Sequence, residues 1–210
     1  MGTETTPLRF DFKIVVAGAF AVGKTTLISA ISEQEVVGTE VNTTGVEAEV
    51  KETTTVGTEY GTFAARGEDM EVELNLYGVP GQERFSFMWD VVARGMDALL
   101  LLVDASRPET WAEAQAVHSH FQRNHPVPTL VAINRAEGLD DALERVRRAV
   151  PTDAGQYVLC DPRDLDSARG AVVELLFLLL ESMEDGDLDD HEAGGDAEAV
   201  ERSSAAAPIS

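Results

Sequence analysis

The sequence predicts an α/β fold, with a six-stranded, mostly parallel sheet and helices on both of its faces. The main reason is the alternation of short apolar runs with helix-like stretches along the chain. Two other observations agree with it. "ALLLLV", Ala98 to Val103, is apolar throughout, as a strand buried on both faces must be. The glycine-bounded loop "GAFAVGKT" joins the first apolar run to a helix, the ordinary βα junction of such a sheet.

Each element follows in order. Phe12 to Ala17 is the first strand, and the helix after the loop starts near Lys24. Val36 to Thr55 is rich in Thr, Val and Glu without clear periodicity and reads as mobile or weakly stranded. Gly57 to Ala65 and Val72 to Tyr77, joined by the turn-rich "RGED", form an antiparallel hairpin. After Ala98 to Val103, "SRPE" opens a helix with Ser106 as its cap and Glu109 completing a capping box. Thr129 to Ile133 is a strand, Asp140 to Ala149 a helix and Tyr157 to Cys160 the last strand. The final helix runs from about Asp164 to Met183, and its stretch "VVELLFLLL" is apolar nearly all round, which signals burial against the sheet. A 210-residue chain suits one domain with appendages, here a flexible N-terminus at 1–9, the folded domain at 10–183 and a disordered acidic tail at 184–210.

Composition narrows the function. With 38 acidic against 16 basic residues the formal net charge is -22, which opposes contact with nucleic acid phosphates. Lysine occurs only at positions 13, 24 and 51 against many arginines, and with the acidity this suggests a GC-rich or salt-adapted prokaryotic source. The single cysteine, Cys160, excludes an internal disulfide and suits a reducing cytoplasm, its plain reading being a buried strand residue. The longest apolar run, Leu175 to Leu180, is far short of a membrane span, and the N-terminus lacks a signal-peptide core.

The loop Gly18-Ala19-Phe20-Ala21-Val22-Gly23-Lys24-Thr25 fits G-x-x-x-x-G-K-[ST] in the strand-to-helix context that the motif needs. Its glycines let main-chain N–H groups curl around phosphates, and the helix start at Thr25 and Thr26 adds its positive dipole. Lys24 would neutralise the outer phosphates and the Thr25 hydroxyl would ligate Mg²⁺. The loop therefore reads as a P-loop NTPase site for a nucleoside triphosphate.

Three downstream stretches resemble Ras-like small GTPases and fall in that family's order: "LNLYGVPGQERFSFMWD" (Leu74 to Asp90), "VAINRAEG" (Val131 to Gly138) and "CDPR" (Cys160 to Arg163). The resemblance implies a Ras-like G domain using GTP/GDP and Mg²⁺, in which Lys24, Gln82 and Thr55 are the catalytic set. Gly81 would offer its amide to the γ-phosphate and Gln82 would orient the attacking water. Thr55, with Thr54 as the near alternative, would join Thr25 as a metal ligand. Asn134, Arg135, Glu137, Asp161, Pro162 and Arg163 would form the base side. "YGVPGQERFSFMWD" is most similar to the MglA and actinobacterial conserved-operon branch. That similarity implies a Roadblock/LC7 partner and, through partners, peripheral membrane association.

The implied activity is a nucleotide-dependent switch with slow Mg²⁺-dependent hydrolysis. A nucleotide-bound scaffold with little hydrolysis and a relaxed ATP/GTP binder are the alternatives. Departures from the family pattern motivate both. Gly78 stands where an aspartate helps to hold the Mg²⁺ shell, and Phe20 stands where a small glycine flanks the γ-phosphate. No arginine adjoins Thr55, which leaves Lys51 or a partner's arginine as the finger. Glu137 replaces an aspartate that reads guanine N1 and N2, and Pro162, lacking an N–H, replaces the donor to O6.

Three other features have plainer readings. His118, His120 and His125 lack framing carboxylates or cysteines, and solvent exposure is expected. Asp104 ends a buried strand, where a polar terminus is ordinary. "RFSFMW", Arg84 to Trp89, either folds onto the core or forms the partner patch.

Overall fold

The computed structural model describes residues 7–33, 37–40, 57–67, 70–152 and 156–193. Its strands are β1 (Leu8–Ala17), β2 (Val37–Glu40), β3 (Gly57–Arg66), β4 (Met70–Gly78), β5 (Ala98–Asp104), β6 (Thr129–Asn134) and β7 (Tyr157–Leu159). The helices are α1 (Lys24–Ile31), α2 (Ser86–Ala93), α3 (Trp111–Asn124), α4 (Ala142–Ala149) and α5 (Leu165–Ala193). The strands form one sheet in the order β2-β3-β4-β1-β5-β6-β7. All six expected strands are present, and β2 adds a seventh at the edge, antiparallel to β3. β3 and β4 pair antiparallel as the hairpin reading required, and the β1, β4, β5, β6 and β7 pairings are parallel.

Each face of the sheet has its own core. Ile14, Val16, Leu74, Leu76, Leu100 and Leu102 meet Leu27 and Ile28 of α1 and Val172 and Leu175 of α5 on one face. Val15, Leu99, Leu101 and Val103 meet Trp89 of α2, Val117 and Phe121 of α3 and Val146 of α4 on the other. This is the two-residue alternation of strand side chains, and it explains why β5 carries no polar residue before Asp104.

Four expectations are corrected. β1 starts at Leu8, so residues 8 and 9 belong to the sheet and not to a flexible arm. The capping box at Ser106 and Glu109 is absent, because the Ser106 amide and hydroxyl both donate to Asp104 Oδ1, at 3.0 and 2.6 Å. A 3₁₀ turn from Pro108 to Thr110, where the proline cannot donate, leads into α3 instead. α5 continues to Ala193, ten residues past Met183, so part of the tail read as disordered is helical backbone. Extending a packed helix adds a hydrogen bond per residue without a new nucleation cost, and this carries the backbone on although Asp185, Gly186, Asp187, Asp189 and Asp190 are poor helix formers. Finally, His118 is buried on α3, and His120 and His125 are half-buried, so none of the three is exposed as expected.

The apolar stretch of α5 does face the sheet through Val172, Leu175 and Leu179, with Phe177 left outside. Among the described residues no helix is long and apolar enough to cross a membrane.

Candidate functional site

The chain leaves the carboxyl end of β1 between its two parallel neighbours, β4 and β5, the point where an open α/β sheet has its crevice. The phosphate loop starts there. Gly18 has φ +139°, and a Cβ on it would lie 2.2 Å from the Leu102 carbonyl oxygen, so only glycine permits the approach to β5. Gly23 has φ +111° and Ala21 φ 59°, which turns the chain back on itself before α1. No side chain caps α1, so its first N–H groups are left to an anion.

Lys24 Nζ donates to the Gly18 and Ala19 carbonyls, each at 2.9 Å, which leaves one of its three donors for a phosphate oxygen. Burial pushes the Lys24 ammonium down to about 8, against the attraction of Glu59 and Glu113. A bound polyphosphate would hold it charged to higher pH, so the bound state carries the extra proton and affinity falls as pH rises above about 8. We expect a loss approaching tenfold per pH unit in that range. Titrations of GDP from about pH 7 to 10, compared with a Lys24→Arg variant that does not titrate there, measure it.

Asp104 ties the loop to the junctions that follow β5 and β6. It is fully buried at the end of β5 and accepts Arg107 Nε at 2.7 Å as well as an Arg135 guanidinium N–H. Burial opposes its ionisation, but the hydrogen bonds from Ser106, Arg107 and Arg135 outweigh that and hold it below the usual carboxylate range. Both arginines reach the loop: Arg107 donates to the Phe20 carbonyl at 2.8 Å and Arg135 to that of Ala21 at 3.5 Å. Asn134, buried at the end of β6, donates to the Val22 carbonyl at 2.8 Å and accepts the Arg135 amide at 2.7 Å.

The remaining residues that the resemblance assigns to a base side include three that follow β7. Pro162 is buried beside Gly23, where an added Cβ would meet Pro162 Cγ at 3.1 Å. Asp161 accepts Arg163 Nε at 3.0 Å and Nη2 at 2.9 Å. The Asp161 amide donates to Ser167 Oγ and the Arg163 amide to Asp161 Oδ1, both at 2.9 Å. With Pro162 having no N–H, every main-chain donor of this loop is engaged or missing. Glu137 is exposed and attracts Arg163. Cys160 is buried just past β7, and burial raises its thiol to about 11.

On the opposite side, Gly81 touches the loop: a Cβ there would lie 2.1 Å from the Gly18 carbonyl oxygen. Gln82 Oε1 accepts Arg84 Nε at 2.9 Å. "RFSFMW" divides its roles. Met88 and Trp89 are buried, with Trp89 Nε1 donating to the Pro80 carbonyl at 2.7 Å, while Phe87 is 53% exposed. Phe20, at the crown of the loop, is 67% exposed. His120 and His125 both meet Asp90 Oδ1, at 2.8 and 3.3 Å, so they have a carboxylate partner that the reading from sequence did not assign.

Thr25 and Thr26 lie exposed in the first turn of α1, and the Thr25 hydroxyl donates to Glu59 Oε1. Glu59 on β3 faces Gly78 on β4 in register. Thr55, Thr54 and Lys51 lie outside the described residues. Thr25 and Glu59 offer the hard oxygen donors that suit Mg²⁺, and the uncapped amides and Lys24 suit phosphates. Sequence reasoning missed Glu59, Arg107, Ser167 and the role of Asp104.

A mostly parallel sheet with a glycine-bounded phosphate cradle at its switch point defines a P-loop nucleotide-binding domain. The model of the Ras family matches residues 13–161, most of the chain, and the protein belongs to that family of small GTPases. It is 25% identical over 122 residues to the Ras-related protein RABA1c of Arabidopsis thaliana, covering 58% of this chain and 50% of that one. It is 27% identical over 133 residues to the human Ras-related protein Rab-7L1, covering 60% of each. An uncharacterized protein of Methanocaldococcus jannaschii is 27% identical over 127 residues, covering 60% of this chain and 71% of that one. The chain thus spans 41 to 60% of the length of several curated relatives that it matches.

Proposed function

We propose that the protein is a cytoplasmic, nucleotide-dependent switch that binds GTP and GDP with Mg²⁺ and hydrolyses GTP slowly. The observation that carries this is the contact between Gly81 and the Gly18 carbonyl. A terminal phosphate gripped by the loop would adjoin the Gly81 amide and so bias the segment from Gly78 to Asp90, which continues into α2. Binding falls to the main-chain amides, Lys24 and Thr25. Magnesium, when bound, would neutralise charge developing on the phosphates. Gln82 would have to leave Arg84 to orient water, and Phe20 would crowd the same space, which supports slow turnover.

Exchanging Phe20 for glycine is therefore expected to speed single-turnover phosphate release by about tenfold, since a catalytic group displaced by about an ångström costs that much or more. An unchanged rate would remove Phe20 from this explanation.

Guanine preference would rest on Glu137 alone, because residues 161 to 163 have no amide left for O6. That supports only modest discrimination against ATP, so competition of the two nucleotides for the protein is expected to differ far less than the steep ratios of sites with a complete set of partners. Phe87 and Val91 lie one turn apart on α2 and are 53% and 59% exposed, an apolar stripe beside the switch segment. With the MglA-like resemblance it supports docking of a Roadblock/LC7-type partner. Phosphate release with and without such a protein tests this: acceleration supports a regulated switch, and no effect supports the scaffold.

A further inference from the structure

We infer that Glu59 supplies the carboxylate of the Mg²⁺ shell that Gly78 cannot. The inference rests on the nucleotide-binding reading above and assigns a residue of this chain to a duty that the Ras-like pattern gives to a different position. Glu59 and Gly78 are direct partners across the antiparallel β3–β4 ladder, at the strand ends beside the phosphate loop. Directly opposed residues of such a ladder share one face of the sheet at close range.

The space beside Gly78 is already filled. A Cβ at that position would lie 2.8 Å from Glu59 Oε2 and 3.2 Å from Glu59 Cβ, and 2.9 Å from Ile28 Cδ1. An aspartate at 78 and the present Glu59 conformation are therefore mutually exclusive, and the glycine is the complement of the glutamate. From this position Glu59 Oε1 accepts the Thr25 hydroxyl hydrogen. That bond turns the remaining lone pairs of Thr25 Oγ1 away from the carboxylate, and a hydroxyl so held is a better cation ligand because its proton already has an acceptor.

The charges agree. Glu59 attracts the Lys24 ammonium, so the carboxylate stands within electrostatic reach of the group that would neutralise the outer phosphates. A carboxylate, a hydroxyl and phosphate oxygens are the donors that Mg²⁺ takes.

The test follows release of the fluorescent analogue mant-GDP from the full-length chain as free Mg²⁺ is raised. In the parent, release should slow as Mg²⁺ rises. Glu59→Ala and the isosteric Glu59→Gln should each raise the Mg²⁺ concentration at half-effect by about 10- to 100-fold, the usual cost of losing a supporting carboxylate. Glu59→Ala combined with Gly78→Asp, which returns a carboxylate from the other strand, should bring it back to within about threefold of the parent. An unchanged or lowered half-effect concentration in Glu59→Gln overturns the assignment, and a lowered one would mean that Glu59 obstructs the cation. Failure of the double variant to recover, in a protein whose thermal melt matches that of Glu59→Ala and so accommodates the Gly78→Asp side chain beside Ile28, overturns it too, since Glu59 would then act through its fit in the hairpin. A parent that holds mant-GDP with no response to Mg²⁺ overturns this assignment alone, whereas a parent that holds no mant-GDP overturns the nucleotide reading with it.

Discussion

Replacing Lys24 with alanine is expected to weaken GDP and GTP binding by about two orders of magnitude without unfolding the protein. The ammonium is held by the Gly18 and Ala19 carbonyls with one donor left over, so it meets a phosphate without having to be ordered first. A charge-assisted bond of this kind is worth about 1.5 to 3 kcal/mol, and a second phosphate oxygen within reach adds to it. The fold should not suffer. Burial already disfavours the charged side chain, as its lowered pKa records, so truncation removes a desolvation cost along with two hydrogen bonds. Fluorescence titration with mant-GDP and a thermal melt of the same sample measure both. Parent-like affinity in Lys24→Ala would displace the phosphates from this loop.

The second large effect is structural. Exchanging the fully buried Asp104 for asparagine removes the shared counter-charge of the Arg107 and Arg135 guanidinium groups, which are themselves 31% and 46% exposed. Because both arginines can turn to water, the loss is nearer that of charge-assisted hydrogen bonds, about 1 to 2 kcal/mol, which for a chain of this size lowers the melting temperature by about 2 to 8 °C. Acid should mimic the change. The Asp104 pKa is depressed in the folded state, so its contribution is present above the ordinary carboxylate value and is lost as pH falls through the depressed one. The gap between parent and variant melts should therefore narrow below about pH 4. GDP affinity should fall as well, because both arginines hold carbonyls of the phosphate loop. A variant that melts with the parent at neutral pH would show that Asp104 is a plain strand terminus.

The fold was legible because its signals are local or periodic. The phosphate loop needs glycine where φ is positive, and β5 needs apolar residues on both faces. β2 was legible only as a weak strand somewhere within residues 36–55, because four residues at an antiparallel edge make no periodic pattern, and the end of α5 escaped because propagation from a packed helix overrides a composition typical of tails.

The site was only partly legible. Lys24, Thr25, Asn134 and Gly81 stand in motifs, and the structure brings them together around the loop. Asp104 and Glu59 belong to no motif. Asp104 matters because Arg107 and Arg135, from two different junctions, converge on it, and convergence in space leaves no spacing in the chain. Glu59 matters through its register with Gly78, and a slip of one residue in the hairpin would put it on the other face. Pro162 was conspicuous in the chain, but the engagement of its neighbours' amides by Ser167 and Asp161 emerges only from the fold.

The most direct measurement sets GMP, GDP and GTP in competition with mant-GDP for the nucleotide-free protein in excess Mg²⁺. If the main chain from Gly18 to Thr25 grips a polyphosphate, GDP and GTP displace the probe at similar concentrations and GMP needs at least about a thousandfold more, since the grip on the β-phosphate supplies several kcal/mol. GMP competing on a par with GDP would place the affinity in the base and ribose and contradict the account.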